Sequence, residues 1–292
     1  MALYKNNHYV PQWFLANFCN GNDELFYYSK TSPLNPIIHR NSKKIFSQDD
    51  LYVTTDASGN RDFSLERDKF DKLETSFQPI VNKLISSARA NSLPRFTAAE
   101  KKNFDVLISN MWARSPDFHK EIFSPESLEV LYLETMAELE TIMGPLPETK
   151  MQELKKSEVK SRIKKNAFVD SLNGSFDPTL DALAKRGVGI VVAESSKSSF
   201  MIGSYPVTKL TLPGKTKITD MIVEVWLPIS HDVAVTIWGS AGQEKIVSVT
   251  QSQVRQINDN VYYQSTEIAG SSKELVSSYA KRHRKYLKNK SD

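Results

Sequence analysis

Residues 177–194 read DPTLDALAKRGVGIVVAE, and the periodicity of the chain changes within this stretch. Its first half starts with Asp177-Pro178, a pair typical of helix starts, and predicts a short helix over 177–186. Its second half, from Gly187 to Glu194, is rich in valine and isoleucine and predicts a buried strand. The stretch therefore predicts a boundary between a helical region and a strand-rich region.

The chain before this boundary has the spacing of amphipathic helices. Between Phe104 and Met111, apolar residues recur at i, i+3, i+4 and i+7, which places them on one helical face. Thr97 and Glu100 have the spacing of a capping box, in which each side chain bonds the other residue's backbone N–H. The pattern predicts helices over 62–91, 97–113, 126–143 and 149–170.

Strand-like segments occur at both ends of the chain. In the second half they cover 199–203, 221–227, 233–238 and 246–249. The N-terminal part predicts a short helix over 11–18 and strands over 24–30 and 51–54, and two more helices are expected near Thr250 and Ser271. We therefore expect an α+β fold, with a helical middle region (about 62–186) packed on a mixed or antiparallel sheet built from N-terminal and C-terminal strands, and with C-terminal helices. A single domain over 1–280 and a basic tail over 281–292 are predicted.

The composition is that of a globular chain with a sizeable core. Hydrophobic residues make up 40% and charged residues 25% of the 292 residues. Cys19 is the one cysteine, which excludes an intrachain disulfide and fits a reducing compartment. The apolar stretch from Gly187 to Ala193 is far shorter than the roughly 20 residues that span a bilayer. We expect a cytoplasmic protein without a membrane partner.

Positive charge is concentrated at the C-terminus. The net charge is +4, and residues 281–292 (KRHRKYLKNKSD) contain six Lys or Arg residues and one Asp. Lys281, Arg282, Arg284 and Lys285 are therefore candidate contacts for nucleic acid or for an acidic partner. The alternative is a solvated helix end, where basic residues are favoured by the helix dipole.

Familiar catalytic motifs are missing from the sequence. Pro213–Thr216 resembles the end of a P-loop, but the glycine required five residues before Gly214 is Lys209, so we interpret it as a turn. There is no Gly-x-Ser-x-Gly, and Cys19, although close to His8 in sequence, is interpreted as a packed, inert thiol. The histidines show neither metal-ligand spacing nor HExxH.

The sequence contains the residue types of a restriction-type nuclease site. Asp117 with Glu158 and Lys160 supplies its residue types, but Glu158 and Lys160 lie in a segment with helical period and point to different faces. No metal site and no cofactor are evident from the sequence. Magnesium remains possible if the protein is a nuclease, because scattered carboxylates can bind it.

Three segments carry a family resemblance. They are His8-Tyr9-Val10-Pro11-Gln12 with the following Phe14-Leu15 and Asn17-Phe18, Ala113-Arg114-Ser115-Pro116, and Ile202-Gly203-Ser204-Tyr205-Pro206-Val207 with the later Leu227-Pro228-Ile229-Ser230. In this order they resemble the largely bacterial family called domain of unknown function 4238. The resemblance implies no established activity. Where the family tends to place an acidic residue after the serine, this chain has Tyr205.

The residues of these segments suggest chemistry of their own. His8 can act as an acid or base near neutral pH. Arg114 follows a predicted helix, where its fork would clamp an anion or cap the last carbonyls of the helix. Ser204 follows a strand, a frequent place for binding groups and also for plain turn serines. Tyr9, Gln12, Ser204 and Tyr205 are the candidate ligand-binding residues.

Two functions follow as hypotheses. The first is a binding or interaction protein, in a defence or mobile-element context, because the main body is nearly neutral and lacks a catalytic motif. The alternative is a hydrolase acting on a phosphate-bearing substrate, nuclease-like, with His8 as acid/base and Arg114 as the anion clamp. The hydrolase hypothesis requires that His8, Arg114 and Ser204 face one cavity.

Overall fold

The computed structural model describes residues 6–19, 23–122, 125–174, 177–211, 218 and 220–291. Their helices are α1 (Gln12–Leu15), α2 (Asp71–Arg89), α3 (Ala98–Ala113), α4 (Pro116–Ile122), α5 (Pro125–Met143), α6 (Glu148–Leu154), α7 (Ser157–Asn173), α8 (Asp177–Ala184), α9 (Gln251–Gln264) and α10 (Lys273–Ser291). Their strands are β1 (Asn6–His8), β2 (Glu24–Ser29), β3 (Ile38–Asn41), β4 (Ser47–Asp49), β5 (Thr54–Thr55), β6 (Arg61–Asp62), β7 (Gly187–Ala193), β8 (Ile202–Gly203), β9 (Thr208–Leu210), β10 (Glu224–Pro228), β11 (Val233–Trp238), β12 (Glu244–Val249) and β13 (Glu267–Gly270). A π-helical segment, Leu65–Phe70, leads into α2.

The chain divides into two compact units. The first contains Met1–Asn7, Asp49–Lys72 and Phe118–Ser175, and the second contains His8–Gln48, Leu73–Asp117 and Phe176–Asp292. A division into compact units does not show which parts fold independently, so the single domain predicted over 1–280 stays a prediction.

The first unit is mainly helical and is joined by polar contacts. Asn166 on α7 bonds both backbone groups of Thr55, at 3.0 and 2.9 Å, which fastens the β5–β6 hairpin to the helix. Lys160 on the same helix pairs with Glu129 of α5 at 2.6 Å. Lys160, one member of the rejected nuclease triad, is therefore engaged in an ion pair between helices.

The second unit contains two principal sheets. The larger has the order β12-β7-β11-β10-β9, in which β12 runs parallel to β7 and the other neighbours are antiparallel. The smaller is antiparallel with the order β3-β2-β13-β8, and it joins strands from the two ends of the chain. The predicted α+β class is confirmed. The strands form two principal sheets where we expected one.

The valine-rich half of the 177–194 stretch forms β7, an internal strand of the larger sheet between β12 and β11. Residues 187–191 of β7 are all buried, because the strand has a neighbour on each side and covered faces. A Cβ at Gly187 would lie 2.7 Å from the backbone oxygens of Ser240 and Trp238, so only glycine fits there. The valine-rich run therefore forms the strand that the sequence predicted.

Two C-terminal helices cover the sheets. A capping box of Thr250 and Gln253 starts α9, whose Val254 and Ile257 pack with Val191 of β7. The apolar side of α10 (Val276, Tyr279 and Ala280) packs with Tyr28, Val261 and Ile268. The helices predicted near Thr250 and Ser271 are therefore present, and they lie side by side.

Some predicted boundaries are wrong. The sequence predicts a strand over 51–54, but of these residues only Thr54 lies in a strand, β5 (Thr54–Thr55). Asp50 adopts a φ of 59°, and the residues directly after it form a buried turn. The helix predicted over 149–170 is divided into α6 and α7. The helix predicted near Ser271 is α10, which starts at Lys273. The hydroxyl that accepts a backbone N–H at its start, that of Leu275 at 3.2 Å, belongs to Ser272. Pro213–Thr216 lies outside the described residues.

Within the described ranges, no helix has both the length and the apolar composition that crossing a bilayer requires.

Candidate functional site

The three signature segments meet at the end of α3. The guanidinium of Arg114 donates from Nη2 to the backbone oxygen of His8 at 2.7 Å. The neighbouring Ser115 donates from Oγ to the backbone oxygen of Ser204 at 2.7 Å. His8, Arg114 and Ser204 are thus brought together inside the second unit, although each comes from a different part of the sequence.

Arg114 is a buried structural anchor in this conformation. It is 1% exposed, and its Nη1 forms an ion pair with Glu74 of α2 at 2.6 Å. The other carboxylate oxygen of Glu74 accepts Nε1–H of Trp13 at 3.1 Å. Since Arg114 is buried and both of its terminal nitrogens bind protein acceptors, an anion could reach it only if the surrounding residues moved. The role of anion clamp stays a prediction.

The imidazole of His8 is half-buried beside this ion pair. Burial lowers the pKa of His8, against the opposing effect of the Ser42 and Lys43 carbonyls, so the ring is neutral at neutral pH. Its Nε2 is buried without a hydrogen-bond partner in the part of the chain that the structure describes. Arg114 contacts the backbone of His8, so the pair predicted from the sequence meets through a carbonyl.

Ser204 belongs to a satisfied polar network. Its hydroxyl donates to the carboxylate of Asp117 and accepts the backbone N–H groups of Thr266 and Glu267, each at 3.0 Å. Asp117 also accepts the hydroxyl of Thr266 at 2.9 Å. This network fixes β13 to the start of α4. A role of Ser204 in ligand binding stays a prediction. In this structure its hydroxyl hydrogen-bonds only protein groups of the described residues and stabilises the fold.

The remaining signature residues are placed differently from one another. Tyr9 donates to Glu267 at 2.6 Å, and burial, then the Glu267 carboxylate, raises the pKa of Tyr9 above its usual range. Tyr205 is buried, and its hydroxyl accepts Nε1–H of Trp112 at 2.6 Å. Gln12 is half-buried at the first position of α1. Tyr9 joins the Ser204 network through Glu267, whereas Tyr205 faces Trp112.

Sequence reasoning missed most members of this network. Glu74, Thr266 and Glu267 contact the signature segments, but they lie far away in sequence and follow no recognisable motif. Asp117 was considered only for a nuclease triad. Its position two residues after Ser115, whose hydroxyl accepts the Asp117 N–H at 3.2 Å, is a local turn signal that was available.

A second candidate site is a groove between α9 and α10. It has a volume of about 630 Å³, and we call it the α9–α10 groove. Three of the four predicted nucleic-acid contacts, Lys281, Arg282 and Lys285, line it. Arg284 does not line the groove. It is two residues after Arg282, and residues two apart on a helix point in nearly opposite directions. It donates to the backbone oxygens of Pro33 and Asn35 at 2.8 and 2.7 Å.

Two further cations, which the sequence analysis did not identify, line the groove. Lys197 comes from the loop after β7, and Arg255 comes from α9. Arg282 pairs with Asp259 at 2.8 Å and lies over the rings of Tyr262 and Tyr263. Of the charged groups lining the groove in the described residues, five are cationic and one, Glu274, is a carboxylate.

Metal ligands are not gathered anywhere in the part described. No three His, Cys, Asp or Glu side chains there come together as a possible metal site. Magnesium for the hydrolase hypothesis stays a prediction.

Comparison with known proteins identifies a family. The family model described as "Protein of unknown function (DUF4238)" matches residues 6–274. The match includes all three signature segments and ends in the first turn of α10, before Lys281, Arg282 and Lys285. No curated protein and no solved structure matches the chain.

Proposed function

The chain belongs to this family of proteins of unknown function, and since the membership assigns no activity, we propose from the α9–α10 groove that the protein binds nucleic acid. The single observation that carries the proposal is the concentration of five cationic side chains in one groove beside a single carboxylate. A nucleic-acid backbone carries one phosphate after another, and clustered lysine and arginine side chains neutralise these charges. Binding of this kind weakens as the salt concentration rises.

Most of these cations are available for a ligand. Lys197, Arg255, Lys281 and Lys285 are exposed, and none of them forms an ion pair among the residues described. Lys281 and Lys285 are one turn apart on α10, so they face the groove together. A cation that already pairs with a carboxylate contributes less to phosphate binding, and among the five this applies to Arg282 alone.

The neutral main body supports a binding role. The net charge of the other 280 residues is close to zero, so the field of the protein is strongest near the last helix. We place this binding in the bacterial cytoplasm, in a defence or mobile-element context. The single cysteine supports the cytoplasm, the resemblance to a largely bacterial family supports the bacterial setting, and the neutral body with its basic C-terminal helix motivates the defence or mobile-element context.

Charge neutralisation tests the proposal. A labelled strand of about 16 nucleotides is titrated with the full chain between about 50 and about 200 mM salt. Lys281→Gln/Lys285→Gln is expected to weaken binding and to lower the slope of log K against log salt by about 1.4, or about 0.7 per lost phosphate contact. Lys102→Gln/Lys290→Gln is the matched control, with two exposed lysines outside the groove lining. Absence of binding both to this strand and to its duplex at low salt, or equal losses in both variants, would refute the proposal.

A second candidate is a hydrolase that acts on a phosphate-bearing substrate, with His8 as its acid/base. The observation that favours it is the buried Nε2 of His8 without a partner in the described residues. DNA, RNA and nucleotides with magnesium or manganese are the substrates to assay. His8→Ala is expected to abolish activity, and His39→Ala, at an exposed pair with Glu24, to retain it. Activity that survives His8→Ala removes this candidate.

A further inference from the structure

We infer that the α9–α10 groove holds an unpaired base, so that its ligand is single-stranded nucleic acid. The inference rests on the proposed function and deepens it. Cationic walls alone attract any phosphate chain, single or double. What selects between the two is the interior of the groove, which carries apolar surface and one hydroxyl that has no partner among the described residues.

The interior of the groove is apolar. Val254 of α9 and Tyr279 of α10 are buried, and Leu275 is half-buried, whereas the lysines that line the same groove are exposed. The apolar groups therefore form the bottom and the cations form the rim. A phosphate gains nothing from an apolar surface, but a base has two faces that do. The groove matches a nucleotide whose base is inside and whose phosphates are at the rim.

Ser198 supplies an unused hydrogen-bonding group in this groove. It is only 7% exposed, lines the groove and has an Oγ without a hydrogen-bond partner in the described part of the chain. Buried hydroxyls nearly always have a partner, so an open one at a groove indicates that a ligand completes it. A hydroxyl can both donate and accept a hydrogen bond. It therefore suits the edge of a base, which presents donors as well as acceptors.

The loop that carries Ser198 is held in place. Asn258 of α9 donates from Nδ2 to the backbone oxygen of Ser199 at 2.9 Å, and its Oδ1 accepts the N–H of Met201 at 2.9 Å. The N–H of Ser198 bonds the backbone oxygen of Ser195 at 2.9 Å. Because these contacts fix the backbone on both sides of Ser198, its hydroxyl is held in place by the protein, and little order has to be gained on binding.

The size of the groove favours a single strand over a duplex. Its volume of about 630 Å³ is in the range of pockets for small molecules, roughly 300–1,000 Å³. In a duplex the base faces are stacked inside and only base edges reach the grooves. A duplex would therefore touch the cationic rim and leave the apolar interior unfilled, whereas an unstacked base of a single strand would fill it.

Three labelled probes of equal length test the inference on the full chain. They are a single strand, the same sequence as a duplex, and a single strand with the bases removed. We expect the base-bearing single strand to bind at least about fivefold more tightly than either of the others. The abasic strand keeps the phosphates, so the comparison isolates the base.

Two serine variants locate the base in the groove. Ser198→Ala is expected to weaken binding of the base-bearing single strand about fivefold and to leave the abasic probe unchanged. The melting temperature of this variant should be retained, because the Ser198 hydroxyl has no partner to lose among the residues that the structure describes. Ser278→Ala is the control, since that serine also lines the groove but its hydroxyl already bonds the oxygen of Leu275 at 2.7 Å.

The outcomes separate the two proposals. Equal affinity for all three probes, or unchanged binding by Ser198→Ala, would overturn the base-binding groove and leave nucleic-acid binding intact. Failure to bind any of the three probes would overturn both. Tighter binding of an acidic peptide than of the single strand would also overturn the inference, because it would assign the cationic rim to a protein partner.

Discussion

Arg114 and His8 are joined across 106 residues of sequence by a hydrogen bond of 2.7 Å from the guanidinium to the backbone oxygen. The contact links the N-terminal signature segment to the end of α3. Its other anchor is Glu74, so one buried cation holds three elements of the second unit together. Two of the signature segments, those with His8 and Arg114, therefore contact each other and have a structural role in this chain.

Arg114→Met should destabilise the protein by about 3–5 kcal/mol, because it leaves Glu74 without its cation inside the protein. Arg114→Lys retains the charge but not both contacts, and should cost about 1–3 kcal/mol. Urea unfolding monitored by tryptophan fluorescence measures both values. The control is Arg89→Met, which removes a half-exposed partner of Asp232 and should cost at most about 1 kcal/mol. Equal losses for Arg89→Met and Arg114→Met would contradict the structural role.

The capping box of α3 gives a prediction on pH. A hydrogen bond from Lys83 and one from the backbone of Thr97 lower the pKa of Glu100 to about 2, below the ordinary value of about 4.3 in the unfolded chain. The depressed pKa stabilises the folded state above about pH 4.3, and this stabilisation is lost as the pH falls through about 2. Glu100→Gln should therefore melt at a lower temperature than the wild type at pH 7 and at the same temperature near pH 2.

Glu140→Gln serves as the control for that experiment. Glu140 is exposed on α5, so its substitution removes the same charge outside the capping box. Its melting temperature should follow the wild type across the whole pH range. A difference between Glu100→Gln and the wild type that persists near pH 2 would show that the glutamate acts through packing.

Local signals allowed the fold class to be predicted. The valine run of β7 and the capping box at Thr97 act within a few residues, so the sequence displays them directly. The pairing of β13 with β2 and the placement of Glu74 beside Arg114 depend on distant segments, which no local pattern encodes. The same distinction explains the groove. Lys281 and Lys285 were visible as a charged run, whereas Arg255 joins them through the packing of α9 beside α10, and Lys197 joins them from the loop after β7.

Cys19 should react slowly with thiol reagents. Burial, then the hydrogen bond to Asp23 and the charge of that carboxylate, raises the pKa of Cys19 to about 12. Only the thiolate reacts, so alkylation by iodoacetamide at pH 8 should be at least about a hundredfold slower than in the urea-unfolded chain. Asp23→Asn should accelerate the reaction of the folded protein. A folded rate equal to the unfolded rate would contradict the interpretation of Cys19 as a packed, inert thiol.

Tyr205 lies at the position where the sequence analysis predicts a departure from the family pattern, and this position can be tested. The tyrosine is 1% exposed, and its hydroxyl accepts the indole N–H of Trp112 at 2.6 Å. Tyr205→Phe should cost about 1–3 kcal/mol, because the indole N–H loses this acceptor inside the protein. Tyr205→Asp should cost more, since it places a carboxylate where burial disfavours charge.

A double-mutant cycle shows whether the two side chains act as a pair. Trp112→Phe removes the donor, so the further loss of the Tyr205 hydroxyl should matter less in that background. We expect a coupling of about 0.5–3 kcal/mol between the substitutions, measured by urea unfolding. Additive losses would mean that the hydrogen bond contributes nothing. A Tyr205→Asp variant as stable as the wild type would show that the site accepts an acidic residue, and that the tyrosine is not required for packing.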